Sequence, residues 1–251
     1  MSKLVYFISD LHLGSNCLAD KRAAEARAAA FLLSIKDTAS DLYMMGDVLD
    51  YWYEYRTVAP RGYLRFFGAL TQLADAGVRL HWYIGNHDIW LFDYLRDEIG
   101  MEVVDGWRVE TILGKTFFLT HGDAVGRRSP SFRFIRSLFR NRLAQKMYAA
   151  IHPRWTIPFA HAWSSSSRSS KPIIHPWQGL DAEPQALFAA DYLRTHPDID
   201  YFVMGHRHVA IDEPVGTARL VILGEWISSP TYAVFDGSPH RRHPGEKKKF
   251  I

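Results

Sequence analysis

The sequence predicts an α/β protein, a two-sheet sandwich in αββα layers flanked by helices and carrying a helical insertion. Three observations lead there. Strand-like and helix-like stretches alternate through residue 100, and a second series of strands separated by turn residues follows. Five apolar runs each finish in Asp, Asn or His, as strands do when they present ligands at their carboxyl ends. Taken as one domain over residues 1–251, the chain is interrupted by a cap at 126–185 and closed by a basic tail at 238–251.

Residues 3–8 read as a short buried strand, and 20–36 as an Ala-rich helix with Ala24, Ala28, Phe31 and Ile35 on one face. The next strand is Leu42–Met45, followed after Asp50 by an aromatic loop wall, Tyr51-Trp52-Tyr53-Glu54-Tyr55. A helix over Gly62–Ala76 is closed by Gly77, a strand covers 78–84, and a helix runs from Trp90 to Ile99 before Gly100. That alternation predicts a largely parallel sheet with right-handed crossovers. Val103-Val104, Trp107–Ile112 and Thr116–Leu119 are separated by Asp105-Gly106 and Leu113-Gly114-Lys115, which read as hairpin turns. Strands at Tyr201–Met204, Leu220–Leu223 and Thr231–Phe235 complete a second sheet, with the ligand-bearing loops gathered along one edge.

Composition excludes several classes. With 47% apolar and 23% charged residues the chain is neither disordered nor membrane-spanning, and no run approaches the ~18 to 20 apolar residues of a span. The apolar run ending at Ile8 is too short for a signal sequence, and Cys17 is the single cysteine, so an internal disulfide is impossible and a reducing cytoplasm is expected. Between Ala124 and Leu180 stand ten Lys or Arg and no Asp or Glu, against a whole-chain charge of +3. Phe132, Ile135, Leu138, Phe139, Leu143 and Met147 fall on one helical stripe within 131–148, beside arginines. Such an insertion suits an anionic partner. The tail, with His240-Arg241-Arg242-His243 and Lys247-Lys248-Lys249, adds attraction to anionic lipid or is a solvated end. Nucleic acid fits less well, because no recognition motif accompanies the basic and aromatic residues.

The strand ends carry the chemistry. Asp10 and His12 can point into one site, Asp47 can bridge two metals, and Asn86, His121, His206 and His208 complete the ligands of a dinuclear centre. Each piece alone is a common accident. Five in fixed order, each capping a strand, make a set.

These blocks, Asp10-Leu11-His12, Gly46-Asp47, Gly85-Asn86-His87-Asp88, His121-Gly122-Asp123 and Gly205-His206-Arg207-His208, resemble those of the calcineurin-like metallophosphoesterases over residues 5 to about 236. The resemblance implies that Asp10, His12 and His208 hold one divalent metal and Asn86, His121 and His206 the other, with Asp47 shared. Manganese is the expected ion, with Fe, Zn or Co compatible. It also implies metal-assisted hydrolysis without a covalent nucleophile, in which His87, with Asn86 and Asp47, acts on the reacting phosphate. Asp50 and Asp88 would orient ligating imidazoles, and Asp88 is alternatively the N-cap of the Trp90 helix.

Within that superfamily the chain looks most like the UDP-2,3-diacylglucosamine hydrolases of lipid A synthesis. Gly46-Asp47-Val48-Leu49-Asp50-Tyr51-Trp52, the late Leu223-Gly224-Glu225-Trp226, the placement of the insertion, and the stretch Ser166-Ser167-Arg168-Ser169-Ser170-Lys171 carry the likeness. It implies a lipid-linked nucleotide-sugar substrate gripped by Ser167, Arg168, Lys171 and Arg127, and peripheral association with the cytoplasmic face of the inner membrane. One departure is His87, where many members carry Arg. Two other readings stand beside it: an esterase for a soluble nucleotide or protein phosphate, and a catalytically silent binding module on the same fold.

Overall fold

A computed structural model of the chain describes residues 3–126, 129–169, 176–238 and 248–250, without the side chains of 161, 163–169 and 248–250. The first half runs β1 (Leu4–Ile8), α1 (Lys21–Ile35), β2 (Ala39–Met44), α2 (Leu64–Asp75), β3 (Arg79–Tyr83), α3 (Tyr94–Ile99) and β4 (Glu102–Val104). Then come β5 (Trp107–Ile112), β6 (Lys115–Thr120), α4 (Pro130–Arg140), α5 (Arg142–Ala150), α6 (Pro153–Ser169) and α7 (Pro184–Leu193). The chain closes with β7 (Tyr201–Met204), β8 (Ile211–Val215), β9 (Ala218–Ile222), β10 (Tyr232–Phe235) and β11 (Lys248–Phe250).

The strands form two sheets, in the orders β11-β10-β1-β2-β3-β4 and β5-β6-β7-β9-β8. The expected parallel run is β1 through β4, and β6, β7 and β9 are parallel in the second sheet. Period-two alternation sorts the side chains into layers. Val5, Phe7, Tyr43, Tyr83, Phe117, Val203 and Val221 fill the space between the sheets. On the opposite faces, Ile8, Leu42, Met44 and Trp82 share a core with Leu32 of α1 and Phe66 and Leu70 of α2, while Phe118, Phe202 and Leu220 pack with Ala186 and Ala189 of α7. A one-residue slip in β2 would bury Asp41 and Tyr43 in the wrong layer, so the register is fixed by the two cores.

Three expectations need correction, and two strands went unread. Asp105-Gly106 is no hairpin turn; it carries the chain from β4 in one sheet to β5 in the other. The helix expected from Trp90 begins only at Tyr94, because Trp90 and Leu91 are buried in the core and the preceding turn is committed to the site. The stripe over 131–148 breaks at Asn141, which ends α4 and whose Oδ1 accepts the N–H groups of Leu143 and Ala144 at the start of α5. β8 went unread because it contains Pro214, tolerated at the edge of a sheet. Within the basic tail, β11 pairs parallel with β10.

Candidate metal centre

The carboxyl ends of β1, β2, β3, β6 and β7 lead directly into Asp10 and His12, Asp47, Asn86, His121, and His206 and His208. The turns that follow are tight. Asp10, His12, Asp47, His206 and His208 all have positive φ, between 44° and 71°, a region costly for residues with a Cβ and typical of over-determined functional turns. Two glycines let these turns touch. A Cβ on Gly85 would lie 2.2 Å from Asp47 Oδ1, and one on Gly205 would lie 2.0 Å from Ser9 Oγ.

The side chains converge in two groups that share one carboxylate. Asp10, His12, Asp47 and His208 form the first, and Asp47, His121 and His206 the second. His12 Nε2 lies 3.1 Å from His208 Nε2, and Asp10 Oδ1 lies 3.2 Å from His208 Nε2. Asp47 Oδ2 is 3.8 Å from His12 Nε2 and 3.5 Å from His121 Nε2, so it faces both groups. Asn86 Oδ1 joins the second, 2.9 Å from His206 Nδ1 and 3.3 Å from His121 Nε2. Atoms bound at about 2.0–2.3 Å to one cation sit about 3–4 Å from each other, which is the spacing here. Asp10 Oδ1 is buried and faces only the His208 and His12 imidazoles, at 3.2 and 3.8 Å, so a cation held among these three would compensate its charge. The donor set fits divalent metal.

Neighbouring groups set orientation. His121 Nδ1 lies 2.7 Å from the Met45 carbonyl, which turns Nε2 toward the centre. Asp50 stands behind two rings, its Oδ1 3.6 Å from His12 Nδ1 and 3.7 Å from His87 Nδ1. The His87 N–H donates to Asp47 Oδ1 at 2.8 Å, and its ring meets His12 edge-on at 4.9 Å. Among the described residues, Asp88 hydrogen-bonds no imidazole and caps no helix. It accepts from the N–H groups of Gly85 (2.7 Å) and Val48 (2.9 Å) and from Trp82 Nε1 (3.1 Å), fastening the β2 and β3 turns together. Burial and the Asp47 charge push its carboxyl up to about 6.

Without an ion, the buried carboxylates and imidazoles balance one another. Burial would raise Asp47, yet the His121 and His87 charges hold it well below the usual carboxylate range. Burial likewise opposes the charge on His121, but Asp47 pushes it up to about 10. His206, buried and repelled by His121, falls to about 4.

Residues the sequence did not flag complete the frame. Ser9 Oγ donates to Asp10 Oδ2 at 2.6 Å. Buried Glu183 pairs with Arg207 between the two histidines, and Gln185 Nε2 donates to the Gly205 carbonyl at 3.0 Å. The only local signal for Glu183 was its position near the end of the acid-free stretch.

Beside the centre, the aromatic loop wall holds the following helices by polar tips. Tyr51 OH meets Tyr148 OH at 3.1 Å, Tyr53 OH donates to the Gln145 carbonyl at 2.7 Å, Tyr55 OH meets Thr156 Oγ1 at 2.6 Å, and Trp90 Nε1 donates to the Phe139 carbonyl at 2.9 Å. On α4 to α6, Phe134, Leu143, Met147, Trp155 and Phe159 are each at least 62% exposed. Arg127 and Lys171 lie outside the described residues; Ser167 and Arg168 lie on the last turn of α6, their side chains outside that description. No helix among the described residues is long and apolar enough to cross a membrane.

Residues 3–210 match the family of calcineurin-like phosphoesterases. A UDP-2,3-diacylglucosamine hydrolase of Porphyromonas gingivalis is 43% identical over 252 residues, covering 95% of this chain and 96% of the relative. Enzymes of the same name from Nitrosococcus oceani and Serratia proteamaculans are each 28% identical, over 229 and 224 residues, covering 88% of this chain and 86% and 90% of the relatives. With a family match across most of its length, the chain belongs to the calcineurin-like phosphoesterases and is a hydrolase.

Proposed function

We propose that this protein cleaves the pyrophosphate bond of UDP-2,3-diacylglucosamine, giving UMP and 2,3-diacylglucosamine 1-phosphate, at the cytoplasmic face of the inner membrane. The observation that carries the substrate is the 43% identity to a hydrolase of that name over 95% of this chain, which leaves too few residues unaligned to omit the insertion at 126–185. Asp10, His12 and His208 hold one ion and Asn86, His121 and His206 the other, with Asp47 between them and manganese in both places. Two such cations supply Lewis acidity and lower the pKa of water toward neutrality.

The protein's own groups do the rest. Buried Asp47, anchored by the His87 N–H, keeps its second oxygen on the centre. His87, 16% exposed and backed by Asp50, stands where it can donate a proton to the leaving oxygen or stabilise charge on the phosphoryl group. The exposed apolar residues of α4 to α6 form a cap for acyl chains and a membrane-facing surface, and Arg127, Ser167, Arg168 and Lys171 grip the phosphates. The manganese-loaded full chain should release UMP from UDP-2,3-diacylglucosamine in mixed micelles. Turnover of bis(4-nitrophenyl) phosphate with no UMP from the lipid would assign a soluble ester instead.

A further inference from the structure

Gln185, in the first turn of α7, is fully buried behind two of the ligand-bearing turns. Its Nε2 donates to the Gly205 carbonyl at 3.0 Å, and the Gly205 N–H donates in turn to the His121 carbonyl at 2.9 Å. The same amide fills the space beside Gly122, where φ is 101° and a Cβ would lie 2.1 Å from Gln185 Nε2. One side chain therefore sits against the residue after His121 and bonds the residue before His206. Those two imidazoles belong to the second ligand group, with Asp47 and Asn86.

For stability alone Gln185 is a poor choice. Among the described residues its Oε1 is buried with no hydrogen-bond partner, which is costly. The amide cannot be reversed, because Oε1 would then face the Gly205 carbonyl oxygen. Nor does that carbonyl need it as a donor, since the Arg207 N–H already reaches it at 2.9 Å. What the amide does supply is a fixed depth for the Gly205 peptide against the end of β6. The first ligand group has its own support: Ser9 Oγ holds Asp10, and Asp50 stands behind His12.

We infer that Gln185 is a positioning residue for the second ligand group, setting the separation of His121 and His206 through the Gly205 peptide and the Gly122 turn. This role rests on the two-cation reading above and names a residue on which one of the two sites depends more than the other. The Glu183–Arg207 pair is different, because it holds the turn that leads to both groups.

The test titrates the metal-free full chain and its Gln185→Met variant with Mn²⁺ by calorimetry, and follows thermal unfolding of both without metal. Met keeps the length of the side chain and removes both the donor and the stranded oxygen. Wild type should take up two ions. In Gln185→Met one ion should bind within about twofold of its wild-type affinity and the other at least about tenfold more weakly, as the loss of an outer partner to one site would give. The metal-free variant should unfold at the wild-type temperature or above it, which a merely structural residue would not allow. Gln185→Asn, which keeps the amide but withdraws it from Gly205, should show the same one-site loss and serves if the Met variant does not fold. Equal weakening of both ions, or wild-type affinity for both in either folded variant, would overturn the role of Gln185. A wild-type chain that takes up only one ion would instead overturn the two-cation reading, and this role with it.

Discussion

Glu183, buried at the entrance to α7, holds Arg207 through both its oxygens, with Arg207 Nη2 2.9 Å from Oε2. Arg207 is flanked by His206 and His208, so one ion pair fixes the turn that feeds both ligand groups. Outer partners of this kind typically change metal affinity 10- to 100-fold when lost. Glu183→Gln should weaken manganese binding by about tenfold while the far-ultraviolet circular dichroism spectrum keeps its shape. Metal content after dialysis against graded free Mn²⁺ checks it; unaltered retention would make the pair structural only.

Asp88 makes a different prediction. Its carboxylate satisfies the N–H groups of Gly85 and Val48 and the Trp82 indole, all buried. Asp88→Ala strands these three donors and the Asp47 N–H, 3.3 Å from Asp88 Oδ1, at about 1–3 kcal/mol each, so a loss of roughly 3 kcal/mol or more in urea unfolding is expected. Asp88→Asn should cost less, because one amide oxygen still accepts.

Metal uptake should release protons. His121 sits near 10 beside Asp47, so at neutral pH its imidazole carries a proton that a bound ion must displace. Apparent manganese affinity should therefore climb from pH 7 toward pH 9. Calorimetry in buffers of different ionisation enthalpy reads the proton count, and a count near zero at pH 7 would contradict the assignment.

Far from the centre, His81 lies between Asp41 (Nε2 to Oδ1, 3.1 Å) and Glu102 (Nδ1 to Oε2, 2.9 Å). Burial lowers its pKa, but the two carboxylates outweigh that and raise it, while Asp41, despite its own burial, is lowered by His81 and Arg79. A raised histidine stabilises the fold fully below its unfolded value, about 6.5, and the benefit is lost as pH rises through the folded value. The stability gap between wild type and His81→Gln should be widest near pH 6 and narrow above it. A gap that widens with pH would reverse the sign.

How much of this was legible beforehand follows a physical line. The residues that cluster at the centre were readable because each sits at the end of an apolar strand, a local pattern. Glu183–Arg207 and Gln185–Gly205 were not, since pairs so far apart in sequence leave no periodicity. Asp88 was expected to orient a ligating imidazole or to cap the Trp90 helix, whereas its carboxylate oxygens accept from two turns brought together only by the sheet. The Asp105-Gly106 turn was read as a hairpin because turn residues look alike whether the next strand joins the same sheet or the facing one.

The central claim is a pair of cations bridged by Asp47. Manganese per chain, measured by mass spectrometry alongside UMP release from UDP-2,3-diacylglucosamine, tests it most directly. The wild-type chain should hold two ions and turn over the lipid, and Asp47→Ala should hold at most one and lose at least a thousandfold in rate. Full activity with a single ion, or an Asp47→Ala chain that keeps both metal and turnover, would contradict it.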